Sequence, residues 1–254
     1  SVYKIGVIDM SIQISHLNVV IENLKILEDI HFTIPKDTFT SIVAPSGAGK
    51  STLLKTLTGV QPMTSGTIKV DDQKVTGLHT AFSYMPQEDM LLPWLSVYQN
   101  VTLYQKINHL TINEEQVRDY LDIFGLNGYE HFLPEQLSGG MKQRTALLRT
   151  IMNPSSYLLL DEPFGALDAM TRGQMQDWML KLPKKAKRTT LLVTHDIEEA
   201  IYLSDRILVL SARPAHVIAE IQVPEKRRSR EWLLQQSELK QTIYQLLAGE
   251  LDVK

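Results

Sequence analysis

Short apolar runs recur along this chain, separated by stretches whose apolar residues return every three or four positions. That alternation predicts an α/β protein with a substantially parallel sheet. Thr40–Val43, Ala81–Met85, Tyr157–Leu160, Thr190–Val193 and Ile207–Leu210 read as strands. One helix is expected in KSTLLKTLTG, where Leu53, Leu54 and Leu57 share a face and Gly59 closes the pattern. A second is expected from about Gly140 through MKQRTALLRTIM, stopping before Asn153-Pro154 because proline cannot continue a helix. A third covers roughly Thr171–Leu182 and again meets a proline. The first forty residues and GTIKVDDQ at 66–73 alternate in the period of an antiparallel sheet, while REWLLQQSELKQTIYQLLAG near the C-terminus reads as mostly helix. With no internal repeat, low-complexity tract or obvious linker, one domain over 1–254 with two lobes is expected.

Composition narrows the function classes. The chain has 254 residues, 43% of them hydrophobic, no cysteine and a net charge of −3, which describes an ordinary globular chain able to bury a proper core. No run approaches the roughly 18–20 apolar residues of a membrane span, and the start SVYKIGVIDMSIQI lacks the basic and apolar regions of a signal peptide. A cytosolic protein is the expectation. The absence of cysteine excludes disulfides and thiolate metal sites. Mild acidity argues against a nucleic-acid partner, which would select a basic surplus. The basic runs PKKAKR at 183–188 and EKRRSR at 225–230 read as solvated faces.

Three stretches hold candidate chemistry. VAPSGAGKST at 43–52 approximates a phosphate-binding loop, G-x-x-x-x-G-K-[ST], with Ala44 in place of the first glycine. It follows the β-rich FTSIV and precedes the leucine-periodic helix, which is the context such a loop needs. Amides from Gly47 to Ser51 can cradle phosphates at a helix start, Lys50 adds a point charge, and Ser51 is placed to ligand magnesium. LLLDEPFGALD at 158–168 is an apolar strand ending in two carboxylates: Asp161 can reach a metal shell, and Glu162 a water beyond the γ-phosphate. LSGGMKQR at 137–144 puts a serine and two glycines before a helix, a second anion-binding start that one phosphate cannot share with the first.

With these motifs in this order, the chain resembles the nucleotide-binding subunit of an ATP-binding cassette (ABC) transporter over roughly residues 12–222. The resemblance implies an α/β P-loop NTPase cassette with a mainly parallel RecA-like core sheet, an N-terminal antiparallel β subdomain and a helical signature subdomain. That helical lobe would occupy about 88–150 and a helical tail about 223–254. ATPase activity and the cofactors ATP and Mg2+ are implied. Nucleotide would be bound by Ala44, Pro45, Ser46, Gly47, Ala48, Gly49, Lys50, Ser51, Thr52 and Gln87, with Ser51, Gln87 and Asp161 around the metal. Glu162 would be the base or water-orienting carboxylate, and His195, in LLVTHD, would contact the γ-phosphate. Ser138, Gly139, Gly140 and Met141 would serve the partner's ATP in a homodimer, with Asp168 at the interface.

QEDMLLPWLSVYQNV and SARPAHVIAEIQV resemble importer ATPases of the nitrate, sulfonate and taurine group. Transmembrane permease subunits, an indirect solute-binding protein and a place on the cytoplasmic face of the membrane follow as expectations. Leu91, Leu92, Trp94 and Leu95 suit either core packing or a permease-docking groove. Two other readings stand beside this one. A soluble ABC protein of translation or repair would carry two cassettes or a long coiled coil; a nucleotide-gated, non-enzymatic module would need neither.

Departures from the family pattern yield expectations of their own. Pro45 biases Ala44 to extended backbone, so a negative φ and an intact loop are expected. PKDTF and DDQ lack a usual glycine and read as turn substitutions. Val19-Val20-Ile21-Glu22 supplies no ring where the family stacks an aromatic on adenine, so weak discrimination between ATP and GTP is expected, with Tyr3 as an alternative source.

Overall fold

A computed structural model describes residues 10–181, 188–224 and 228–249. In chain order the elements are β1 (Met10–Ile21), β2 (Leu24–Pro35), β3 (Phe39–Val43), α1 (Lys50–Leu57), β4 (Ser65–Val70), β5 (Gln73–Lys74) and β6 (Phe82–Met85). They continue as α2 (Val97–Val101), α3 (Leu103–Ile107), α4 (Glu114–Ile123), α5 (Gly139–Met152), β7 (Tyr157–Asp161) and α6 (Ala169–Lys181). The remainder is β8 (Thr189–Thr194), α7 (Ile197–Leu203), β9 (Arg206–Leu210), β10 (Val217–Gln222), α8 (Arg230–Leu234) and α9 (Ser237–Gly249). All five expected strands and all three expected helices form. The residues divide into two compact units, 1–80 with 184–254, and 81–183.

The first unit holds two sheets. Its antiparallel sheet has the order β2-β1-β4-β5. The β1–β2 hairpin turns at Glu22 and Asn23, both in left-handed backbone (φ 50 and 65), the conformation that matches the twist of a two-residue hairpin. Ile12 and Ile14 are buried, and so are Leu17 and Val19, although the parity changes between the pairs. A register shift between Ile14 and Leu17, with His16 at φ 50, absorbs the extra residue and keeps one face apolar. The other strands of this unit run β10-β9-β3-β8. β3 lies parallel to both β8 and β9. Thr40 to Val43, all of β8 and all of β9 are buried, as strands covered on both faces must be.

The turn substitutions take the expected form. Asp37, Asp71 and Asp72 stand at φ 56, 48 and 62, positions where a short polar side chain substitutes for glycine. The tail differs from the single helix expected: it breaks after Leu234 and restarts at Ser237. α9 lies against α7, where Lys240 and Glu198 pair at 2.7 Å.

In the second unit β6 and β7 pair in parallel. α5 buries Ala146, Leu147, Leu148 and Ile151, and the Ser83 hydroxyl of β6 donates to the Thr150 carbonyl at 2.7 Å. Trp178 of α6 meets Phe124 and Tyr120 edge-on, with ring centroids 4.9 and 5.6 Å apart. The expected helix end at Leu182, Tyr3, and most of the two basic runs lie outside the described residues.

Candidate nucleotide site

In the first unit Val43 pairs with Thr194, so the loop from Ala44 to Gly49 and the side chain of His195 leave neighbouring parallel strands at their C-terminal ends. That is where α/β sheets bind ligands. Gly47 (φ 75) and Gly49 (φ 114) bend the loop through backbone that other residues avoid, whereas Ala44 is not among the described residues with positive φ. The expected negative φ at Ala44 is therefore found. A β-carbon on Gly49 would lie 2.7 Å from Ile26 Cγ2 and 3.1 Å from Leu27 Cδ2, so the loop is pressed onto β2 there. One on Gly47 would meet nothing within 4 Å.

α1 starts at Gly49 with no side-chain cap on its amides and no acid in its first turn. No cap side chain and no first-turn acid therefore competes with an external anion for this helix start. Lys50, buried, donates from Nζ to the carbonyls of Ala44 and Pro45 at 3.0 and 3.1 Å. At the end of β8, Asp196 accepts from the Glu199 amide at 3.1 Å and caps α7, leaving His195 exposed between strand and helix. Val19 is buried and Val20 half exposed, and the run 19–22 offers no ring, as the sequence implied.

The second unit repeats the strand-end arrangement with different chemistry. Met85 pairs with Leu160, so Gln87 and Asp161–Glu162 follow from the same ends of β6 and β7. Asp161 is buried. Burial, and then the Asp161 charge, push the Tyr84 hydroxyl's pKa far up, so it stays protonated. Glu162 has φ 50, a strained conformation for a residue with a β-carbon and one that clusters at functional sites. Its carbonyl accepts from the Gly165 amide at 3.1 Å, and Gln143 of α5 donates to the adjacent Pro163 carbonyl at 3.1 Å.

α5 begins at Ser138, whose hydroxyl accepts from the Met141 amide at 3.2 Å. A methyl on Gly139 would meet nothing within 4 Å, and one on Gly140 only ordinary contacts at 3.7 Å. Asp168 accepts from the Thr171 amide at 3.0 Å, and its hydrogen bonds to Thr171 hold its carboxyl below the usual range.

Sequence reasoning missed four residues that organise these segments. Gln143 braces the Glu162 turn. Asn100, fully buried, accepts from the Leu92 amide at 2.9 Å and donates to the carbonyls of Leu92, Leu95 and Ser96. Arg149 donates to the carbonyls of Asp89 and Met90, both at 2.8 Å; burial lowers its pKa and Asp89 opposes the shift. Arg213 donates to the Gly47 carbonyl at 2.6 Å. The contacts of Gln143, Arg149 and Arg213 cross tens of residues and leave no local periodicity to read.

A family model described as ABC transporter matches residues 27–165, more than half of the chain. The chain belongs to the ABC transporter family. The cassette is 41% identical to a formylaminopyrimidine import ATP-binding protein of Halalkalibacterium halodurans over 232 residues, 89% of this chain and 91% of that one. It is 39% identical to an aliphatic sulfonates import ATP-binding protein of Bacillus cereus over 206 residues, 80% and 82% of the two chains. A nitrate import ATP-binding protein of Synechocystis is 39% identical over 199 residues, 78% of this chain and 75% of the other. Among solved structures, a dimeric bacterial ABC transporter cassette aligns with a TM-score of 0.73 at 27% identity, covering 84% of this chain and 99% of that one. A post-hydrolysis dimer of the same cassette bound to ADP and Pi aligns equally well.

As an ABC cassette the chain is an ATPase with ATP and magnesium as cofactors, and its fold is the α/β P-loop class anticipated. The uncapped α1 start, the open space over Gly47 and the adjacent Lys50 fit a triphosphate. Among the described residues no three of His, Cys, Asp or Glu gather as a metal cluster.

Proposed function

We propose that this chain is the ATP-hydrolysing subunit of an importer for a small solute of the nitrate, sulfonate and taurine-like group. The observation that carries the reading is the α1 start: left-handed glycines at 47 and 49, amides without a side-chain cap, and Lys50. In this reading the amides of Gly47–Ser51 and Lys50 hold the phosphates, flanked by Ala44, Pro45, Ser46 and Thr52. Ser51, Gln87 and Asp161 hold magnesium, which when bound neutralises charge on the phosphate oxygens. Glu162 orients the attacking water, and its constrained backbone restricts where the carboxylate can point. His195 donates toward the γ-phosphate.

The chain works as a homodimer, with Ser138, Gly139, Gly140 and Met141 of one copy offered to the phosphates held by the other and Asp168 at the contact. Permease subunits bind beside Gln87, where Met90 and Trp94 are 61% and 70% exposed while Leu91 is core. A solute-binding protein acts through the permease. No described helix is long and apolar enough to cross a membrane, and attachment through the permease puts the subunit peripherally on the cytoplasmic face. The 88–150 lobe serves as the helical signature subdomain and 223–254 as the tail of one domain.

The test is Glu162→Gln. ATP binding should stay within about tenfold of wild type (~1.4 kcal/mol) while most hydrolysis disappears. Turnover at the wild-type rate would remove Glu162 from the mechanism.

A further inference from the structure

A loop that is to offer amides to an anion needs its carbonyls satisfied elsewhere. Most are satisfied locally: Ala44 and Pro45 accept from Lys50, Pro45 also from the Ala48 amide, and Gly49 from the Leu53 amide. Gly47 is different. Its carbonyl accepts from Arg213 Nη2 at 2.6 Å, from a residue 166 positions along the chain.

Arg213 stands in a turn that is itself pinned. The Ala215 amide donates to the Ile26 carbonyl and the Glu28 amide to the Ala215 carbonyl, both at 2.9 Å, which sews the turn onto β2. Ser211, buried, ties the turn's two ends: it accepts from the His216 amide at 2.9 Å and donates to carbonyls of the turn at Ala212 and Pro214. The stretch of β2 that receives the turn is the one whose Ile26 and Leu27 side chains crowd Gly49. Two bends of the loop, at Gly47 and Gly49, are therefore held from one piece of framework.

We propose that the 211–216 turn is a brace for the phosphate loop, and that Arg213 is a positioning residue for nucleotide binding. A guanidinium on the Gly47 carbonyl fixes the orientation of the peptide joining Gly47 to Ala48, whose amide donates to the Pro45 carbonyl and so closes the loop's turn. It also places a permanent positive charge behind a loop that must collect a polyanion. Gly47 has no side chain with which to anchor its bend, and a β-carbon there would meet nothing within 4 Å. Charge and geometry both favour the bound phosphates, so loss of Arg213 should weaken nucleotide affinity more than it weakens the fold.

This rests on the nucleotide-site reading above, and the experiment separates the two. The full chain is titrated with a fluorescent ADP analogue in the presence of magnesium, as wild type, Arg213→Ala, Arg213→Lys and Lys50→Ala, and each melting temperature is taken without nucleotide. Arg213→Ala should raise the Kd about fivefold with a melting temperature within about 2 °C of wild type. Arg213→Lys, which keeps the charge and a donor, should return the Kd to within about twofold. A Kd for Arg213→Ala indistinguishable from wild type, or a loss that Lys does not recover, overturns the brace. If Lys50→Ala also binds normally, the site assignment fails with it; if Lys50→Ala alone loses binding, only the brace fails.

Discussion

The two glycine-flanked helix starts, α1 and α5, look alike in sequence and are finished differently. At α1 the cap is a left-handed glycine with no side-chain hydrogen bond, and a lysine opens the helix. At α5 the cap is an extended serine, φ −65, whose hydroxyl already accepts from the Met141 amide. Neither first turn carries an acid, unlike those of α4 and α7. Both ends keep a positive dipole, but only at α5 does the cap residue's side chain already accept from an amide of its own helix. A start capped by its own side chain asks less of a ligand than one capped by a bare glycine.

The sharpest way to break that contrast is to damage each start in separate chains. Lys50→Ala alone and Ser138→Arg alone should each lower ATPase activity about 100-fold or more, as loss of phosphate-stabilising groups does. In a mixture, heterodimers carry one intact composite site and activity should reappear. Silence while mixed dimers demonstrably form would mean obligately coupled sites or a wrong assignment in trans. Full activity of Ser138→Arg by itself would decide against any role for α5.

A smaller effect is expected at Gly49. Alanine there meets both a left-handed backbone and the Ile26 methyl at 2.7 Å, at a cost of about 2–3 kcal/mol. Nucleotide should then recover part of the lost melting temperature, because binding favours the loop's native form. Ser138→Ala should lose about 1 kcal/mol as an ordinary cap does, measurable by urea denaturation. A loss as large as that at Gly49 would mean the two starts are not so differently built. At α6, Asp168→Asn should leave the urea midpoint essentially unchanged near pH 7, because asparagine caps nearly as well as aspartate. The Asp168 carboxyl has its pKa depressed in the fold, so whatever stability it adds is present above the unfolded-state value. That part fades as the pH falls through the folded value, and the Asp168→Asn variant should show no such fade. Last, with only aliphatic residues at 19–21, ATP and GTP should bind within about tenfold of each other. A strong preference for ATP, or another aromatic such as Tyr3 folded onto adenine, would overturn this.

Much of this was legible in the sequence because the carriers are local. Apolar runs marked the buried strands, proline marked the end of α5, and Pro45 pointed to the negative φ of Ala44. The parity change in β1 could not be read, since alternation alone does not reveal a bulge at His16. Asn100, Arg149 and Arg213 were invisible for a different reason. Each acts on backbone carbonyls, near in the chain for Asn100 and far for the two arginines, and a carbonyl has no sequence signature. The tail read as continuous because Leu233 and Ile243 fit a helical pattern on both sides of the break at Gln235–Gln236.

The discontinuity of the first unit has a consequence during synthesis. β3 emerges early, yet its parallel neighbours β8 and β9 are encoded beyond the whole of 81–183. With roughly 150 residues still to be made at about 5–20 residues per second, β3 waits on the order of 10–30 s with both edges unpaired. The uninterrupted unit has all its strands and helices in one stretch and can fold while the ribosome is still working. A nascent chain stalled after residue 183 should therefore protect α5 and β7 from protease and leave Phe39–Val43 cleavable, a nursery order in which the helical unit matures before the phosphate loop has a sheet to stand on.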